Sequence, residues 1–419
     1  MKNISKFDYC YGCSVCASAC PKKAISMHID TEGFYKPIVD DSNCINCGIC
    51  LNVCAFNSLE VIQDKDFPIR NYAVWSKDED VRNRCTSGGV GFEVGRFLLN
   101  KGYNAIVCKY NSETHHAEHY LAKTEKELIA SIGSKYIQSD AIHGFKQIKK
   151  GEKFFITGSP CQIDSIRRLV RKRKMEDDVI LLDFFCHGVP SYLMWLQYLK
   201  ELENKIGTVN NIVWRDKETG WHDSWVMKIP GRYTSWFTKG DSFYRMFLGD
   251  RCLGRQCYHN CKYKYNHSAA DIRIGDLWGR KYSSDEKGVN GVVCFTERGL
   301  NLLKEMHPIL HIEDSTLEIV AESQMKKCAH KPISYKYTMN SLKKGIPLRE
   351  ILQKASYIEL VERIPNKLTY YITRLPSKTL EVLGLIELVE QIPNKLIYYI
   401  TRLPSKTLEV LGLREKPQK

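Results

Sequence analysis

From about residue 71 onward, short apolar runs alternate with longer stretches in which apolar positions recur every third or fourth place. Tyr72–Trp75, Ala105–Tyr110, Lys153–Thr157 and Val179–Phe185 have the length and residue content of strands. Gly88–Leu99, Glu125–Ile132, Gln162–Arg173 and Tyr192–Ile206 carry the period of amphipathic helices. This alternation predicts an α/β domain with a mixed or largely parallel sheet. The amino-terminal stretch has another texture: Gly33–Val39 reads as a strand after a turn, and cysteines punctuate the rest. The carboxyl-terminal stretch repeats itself. Ile358–Leu385 and Ile386–Leu413 are tandem 28-residue copies that differ only at Arg363 versus Gln391 and Thr369 versus Ile397. The prolines in each copy limit it to short helices. Three parts are expected: a cysteine-rich domain over 1–65, an α/β domain over 71–335, and a helical tail over 336–419.

Cysteine changes the picture most. Seventeen occur, eight of them within the first 54 residues. An odd, clustered set in a chain of 419 residues argues against a disulfide framework and for metal or redox chemistry. No run reaches the roughly 18 apolar residues of a membrane span, and MKNISKFDYC lacks the apolar core of a secretory signal. A cytoplasmic protein is expected. The net charge of +14 invites a nucleic-acid reading. Ligating thiols must be deprotonated, however, so counting the cysteines as neutral overstates the positive excess. No nucleic-acid partner is expected.

Cys10-x2-Cys13-x2-Cys16-x3-Cys20-Pro21 recurs as Cys44-x2-Cys47-x2-Cys50-x3-Cys54, each cysteine displaced by 34 residues. Three thiolates at this spacing wrap three corners of an iron–sulfur cube, while the fourth lies too far round and reaches the other half. One 4Fe–4S cluster would then take Cys10, Cys13, Cys16 and Cys54, and the other Cys44, Cys47, Cys50 and Cys20. Gly12, Ala17, Ala19, Gly48 and Ala55 leave room for backbone amides to approach the sulfurs. Structural zinc is the alternative, but zinc sites draw four ligands from two pairs, and two runs of four do not divide that way. Over about residues 6–62 the chain resembles the bacterial two-cluster ferredoxins, with Ala55 standing where the first half has Pro21.

Three turns in the middle of the chain bear on chemistry. Thr86-Ser87-Gly88-Gly89 precedes a helix and suits an anion at a helix N-terminus; a plain serine cap with glycines for a tight turn reads the same. Gly158-Ser159-Pro160-Cys161-Gln162 runs from strand to helix with a thiol in the first helical turn, where the dipole favours thiolate; an inert buried cysteine is the alternative. Phe184-Phe185-Cys186-His187-Gly188 ends the next strand in the same way. Both turns therefore fall on one rim of a parallel sheet, where open α/β folds place ligands. Cys161, Cys186, Cys257 and Cys261 together make a candidate third four-thiolate site, with Cys252 as a possible substitute. For Cys85, Cys108, Cys294 and Cys328 ordinary burial is expected. Arg167, Arg168, Arg171, Lys172, Arg173 and Lys174 read as a solvated helix end or, in the sharper version, as a dock for an acidic partner.

Over about residues 71–331 the chain resembles the beta subunits of coenzyme F420-reducing hydrogenase and F420H2 dehydrogenase. The resemblance lies in Ser87-Gly88-Gly89, Gly133-Ser134-Lys135-Tyr136, Gly158-x-Pro160-Cys161-Gln162, Cys186-His187-Gly188 and Asp271-Ile-x-Ile-Gly275-Asp276-x-Trp278-Gly279. It implies an α+β and α/β architecture: a ferredoxin-like two-cluster domain, then an α/β flavin-binding-type domain. It also implies a flavin, usually FAD, near Ser87, Gly88, Gly89, Ser134, Lys135, Gly158, Ser159, Pro160, Asp276 and Trp278. The family commonly has C-x2-C where this chain has Cys257-x3-Cys261, a departure that bears on the third cluster. The expected activity is oxidoreduction between a small-molecule two-electron substrate and a one-electron carrier such as a ferredoxin or a partner redox subunit, with no catalytic residue assigned. A flavin-free electron-transfer or adaptor subunit is the alternative. The apolar tail is expected to pack on the body or a partner, with a membrane surface as the lesser alternative.

Overall fold

The computed structural model describes residues 3–6, 10–259, 261–324 and 326–363. The first copy lies outside the described residues beyond Arg363, and the second copy lies outside them entirely. Two units are present, one comprising Met1–Lys331 with Ser341–Leu348, the other Pro332–Asn340 with the described chain from Arg349.

The strands of the first unit are β1 (Ile25–Ile29), β2 (Tyr35–Val39), β3 (Arg70–Ser76), β4 (Asn104–Asn111), β5 (His116–Ala122), β6 (Ser139–Asp140), β7 (Phe154–Thr157), β8 (Val179–Phe184), β9 (Val226–Ile229), β10 (Tyr233–Trp236), β11 (Ile272–Asp276), β12 (Asn290–Cys294) and β13 (Leu310–Ser315). Nine of them form one sheet in the order β13-β3-β12-β11-β8-β7-β4-β5-β6. Its centre, β11-β8-β7-β4, is parallel, and antiparallel pairs flank it on both sides, so the expected mixed α/β sheet is present. Parallel strands are covered on both faces, and β7 and β8 accordingly read as continuous apolar runs. Helices Val90–Asn100, Pro160–Arg173 and Tyr192–Ile206 lie within two residues of their expected bounds. Glu125–Ile132 splits instead into a short α-helix and a 3-10 turn.

The core beneath the rim is charged. Arg273 on β11 makes a two-pronged pair with Asp183 on β8, at 2.7 and 2.8 Å, and neither side chain is exposed. Asp183 also accepts from Ser268, and Arg273 donates to the carbonyls of Tyr265 and His267. Every polar atom of the pair thus has a partner, the condition for burying charge in a sheet interior.

The amino-terminal segment belongs to the same unit as the sheet. Its hairpin β1–β2 meets the sheet through Tyr35, whose hydroxyl lies 2.8 Å from His116 Nδ1 and whose amide donates to Gln138 at 2.9 Å. Gln138 in turn donates to the Tyr11 carbonyl. Gly12, at φ +68°, fits under this contact: a Cβ there would come within 2.3 Å of Gln138 Nε2 and 2.7 Å of the Tyr35 carbonyl. Lys262 donates to the carbonyls of Ala55, Ser58 and Glu60, closing the far end of the segment.

In the second unit, helix Leu348–Arg363 buries Ile351, Leu352, Ala355 and Ile358, one helical face, and Ser334 donates to Glu359 at 2.6 Å.

Candidate functional site

Two short helices, Val15–Ala19 and Ile49–Asn52, carry the middle of each cysteine run. Each starts from a residue in the left-handed conformation, Ser14 or Gly48, which swings the preceding loop back over the helix. Around them lie two cavities of about 340 Å³, measured with the space that opens to solvent. One is lined by Cys10, Cys13, Cys16 and Cys54, with Tyr11, Met27 and Phe56. The other is lined by Cys20, Cys44, Cys47 and Cys50, with Pro21, Ile45 and Ile49. Each cavity takes three thiols from one run and the fourth from the other run. Among the described residues no three His, Cys, Asp or Glu side chains converge on a point that would hold a single ion.

Burial pushes the Cys13 thiol up to about 12, aided by the negative charge Cys54 would carry, while the Ser165 hydroxyl 3.5 Å away opposes the shift. Burial likewise raises Cys10, Cys16, Cys50 and Cys54. Four buried thiols of this kind ionise together only against a compensating positive charge, which iron supplies on ligation with release of protons. The Gly12 amide already donates to Cys10 Sγ at 3.3 Å. The cavities differ in depth: Cys47 and Ile45 are exposed beside one, and Phe56 and Tyr11 stack at 3.5 Å over the other.

Past that stack lies the rim. Cys161 opens its helix at the end of β7, where a capping box joins Ser159 and Gln162, and Ser159 Oγ lies 3.2 Å from Cys161 Sγ. Burial raises Cys161 well above the ordinary thiol value, and the charges of Cys186 and Cys257 add to the rise. Cys186 is pushed up to about 11 by burial, partly countered by Lys264, and Cys257 to about 12 by burial and Cys186. Cys161 and Cys261 pack with Ala55, Phe56, Tyr11 and Tyr263. The four rim thiols are thus neighbours. Cys328, expected to be merely buried, joins them, its Sγ donating to the Cys261 carbonyl at 3.4 Å. Cys252 instead lies by Ser191, Arg251 and Asp250.

The expected flavin residues fall into two groups. Ser134 donates to Thr86 Oγ1 through its amide at 3.1 Å, beside Ser87. Lys135 donates to the carbonyls of Ser131, Ile132 and Gly133, and burial holds its pKa down to about 8. Lys217 donates to the Ser87 carbonyl at 3.1 Å and is likewise held down to about 8 by burial. Gly89, at φ +85°, starts helix Val90–Asn100, and Gly88 presses against β3, where a Cβ would meet the Val74 carbonyl at 2.6 Å. Asp276 pairs with Arg215 at 3.1 Å, and the guanidinium lies over Trp225 and Trp278 at 4.6 and 4.9 Å. In the other group, Gly158 backs onto Gln162, and the Ser159 hydroxyl lies against Cys161 and donates to Gln162, with Pro160 opening the helix. Sequence reading missed Arg215, Lys217, Trp225, Tyr11 and the place of Cys328. Arg215 and Trp225 lie on an irregular stretch with no motif around them.

Half of the basic run is paired within the fold. Arg167 pairs with Asp271 at 3.0 Å, Arg168 with Asp164 at 3.3 Å, and Arg173 donates to the Ile148 carbonyl. Arg171, Lys172 and Lys174 remain exposed.

Comparison with known proteins decides the family. The C terminus of the coenzyme F420 hydrogenase/dehydrogenase beta subunit matches residues 151–318, and the N-terminal part of that same protein matches 71–143. Together they span more than half of the chain. The chain belongs to the coenzyme F420 hydrogenase/dehydrogenase beta subunit family. This member carries in front, over residues 9–58, a 4Fe–4S dicluster domain. Among solved structures, a chain of the F420-reducing NiFe hydrogenase complex from Methanosarcina barkeri is 16% identical, covers 72% of this chain and 94% of its own, and has a TM-score of 0.44. No curated protein matches. Among the described residues no helix is long and apolar enough to cross a membrane.

Proposed function

We propose that this family member is an iron–sulfur flavoprotein oxidoreductase that passes electrons between a two-electron substrate, F420-like in class, and a one-electron carrier. The observation that supports it most is the division of eight cysteines between two cavities, each completed by a thiol from the other run. Cys10, Cys13, Cys16 and Cys54 would hold one 4Fe–4S cluster and Cys20, Cys44, Cys47 and Cys50 the other. Cys161, Cys186, Cys257 and Cys261 are the proposed ligands of a third.

Clusters relay single electrons, and a flavin exchanges two with an organic substrate and releases them singly. The residues set the order. Exposed Cys47 and Ile45 make their cavity the port for an external carrier, a ferredoxin or partner redox subunit. The cavity with Tyr11 and Phe56 lies between that port and the rim. At the rim, the Trp221 indole N–H is buried without a partner and its ring stacks on Trp278 at 4.7 Å. Lys135, Lys217 and Arg215 surround the same region with positive charge. An orphaned donor, stacked aromatics and cations suit an anionic aromatic cofactor such as FAD, with Ser87, Gly88, Gly89, Ser134, Lys135, Asp276 and Trp278 beside it and Gly158, Ser159 and Pro160 towards Cys161.

One observation favours a flavin-free electron-transfer or adaptor subunit. Lys135 is capped by three carbonyls, and Asp276 is taken by Arg215, so these groups already have partners. Purification without oxygen, followed by assay of iron, sulfide and released flavin, separates the two. Bound or reconstituted flavin with reduction of the clusters by a two-electron donor is expected; clusters with no flavin at any stage would overturn the flavoprotein reading.

A further inference from the structure

The rim holds one thiol more than a four-thiolate centre uses. Cys161 is fixed in the first turn of helix Pro160–Arg173, and Cys257 on helix Arg255–His259. The turn bearing Cys186 is held against that second helix, for a Cβ at Gly188 would come within 3.4 Å of the Cys257 Cβ. These three positions are set by regular elements and close packing. Cys261 and Cys328 are not: both lie outside helices and strands and are half-buried. They also share one corner, since the Cys328 Sγ donates to the Cys261 carbonyl at 3.4 Å although 67 residues separate them. Cys261 and Cys161 pack in one cluster with Tyr11, Phe56 and Tyr263, which places this corner at the rim.

We propose that Cys261 and Cys328 are interchangeable at the fourth corner of the rim centre: with Cys161, Cys186 and Cys257, either sulfur completes a four-thiolate iron–sulfur site, and the other stays a thiol. This rests on the third-cluster reading above. The reason is geometric. Three ligands on rigid supports define the position of a cube, and a fourth on irregular chain adjusts to it. Two such arms at one corner make either one dispensable.

The test compares anaerobically purified wild-type chain with Cys161→Ala, Cys261→Ala, Cys328→Ala and the Cys261→Ala/Cys328→Ala double variant. Iron and sulfide are counted, and the reduced proteins are examined by electron paramagnetic resonance. Alanine is used because it offers no replacement oxygen ligand. The proposal expects Cys161→Ala and the double variant each to lose about four irons per chain, and both fourth-corner single variants to keep the wild-type count. Cys261→Ala should also shift the rim signal while the two amino-terminal signals stay put. Loss of about four irons from either fourth-corner single variant, or full retention in the double, overturns it. If the double variant does not fold, Cys261→Ala decides alone. Wild-type protein with only the two amino-terminal clusters removes the third-cluster reading itself, a failure visible before any variant is made.

Discussion

Eight amino-terminal cysteines line two cavities from within one short stretch of chain, whereas the five rim thiols arrive from four segments spread between residues 161 and 328. The first set is organised by local spacing: two one-turn helices, each started from a left-handed residue, carry Cys16 and Cys50, and the other six sulfurs sit on the irregular chain that flanks them. The second is organised by the sheet, since Cys161 and Cys186 meet only because β7 and β8 run parallel and end on the same side. Spacing makes a site that a sequence announces. Topology makes one that exists only after the sheet has formed.

The largest effect should come from breaking the local set. Cys16→Ala removes a buried thiol of the inner cavity and should cost about four irons per chain. It should also destabilise the segment by several kcal/mol, because ligation free energy is folding free energy in such small domains. Iron assay and hydrogen exchange over residues 10–58 check both. Next, Asp183→Ala strands the Arg273 guanidinium in the sheet interior. About 3–5 kcal/mol of stability should go, read by denaturant unfolding. If the comparison is right, this variant disturbs the rim thiols while the amino-terminal cluster signals survive in the folded fraction.

A smaller effect is expected from Arg215→Ala, which frees Asp276 and empties the space between Trp225 and Trp278. FAD affinity should fall about tenfold or more, equivalent to about 1.4 kcal/mol, as measured by fluorescence titration. The pH dependence has two signs. Lys135 and Lys217 are held down to about 8 by burial, so they lose charge as pH rises through that value, and binding of an anionic cofactor should weaken. Their folded pKa lies below the ordinary lysine value, so between the two the unfolded chain binds more protons. Stability of the cofactor-free chain should therefore rise with pH over that window. Opposite slopes in binding and unfolding would identify these lysines; parallel slopes would exclude them. Least of all, Arg171→Ala with Lys172→Ala touches exposed positions and should change stability by no more than about 0.5 kcal/mol.

Much of this was legible in the chain. The duplicated cysteine spacing gave the same two sets of four that line the cavities, and the central strands appeared as apolar runs because they are covered on both faces. β5, with His116 and His119 among its residues, and β12, which opens with Asn290-Gly291, lack a clear strand pattern. Tertiary pairing made them strands. Cys328 was unreadable for a related reason. Nothing beside it in sequence resembles a ligand motif, and its neighbour Cys261 is brought to it only by the fold. Arg167 and Arg168 misled in the other direction, since their partners Asp271 and Asp164 turn a basic run into internal pairs.

The most direct test is the metal and sulfide content of the segment around Cys10–Cys54 in protein kept from oxygen. The account predicts about eight irons and about eight sulfides per chain from this segment, all lost in a variant with the eight cysteines replaced. Zinc without sulfide, or the same cysteines recovered as disulfides, would contradict it.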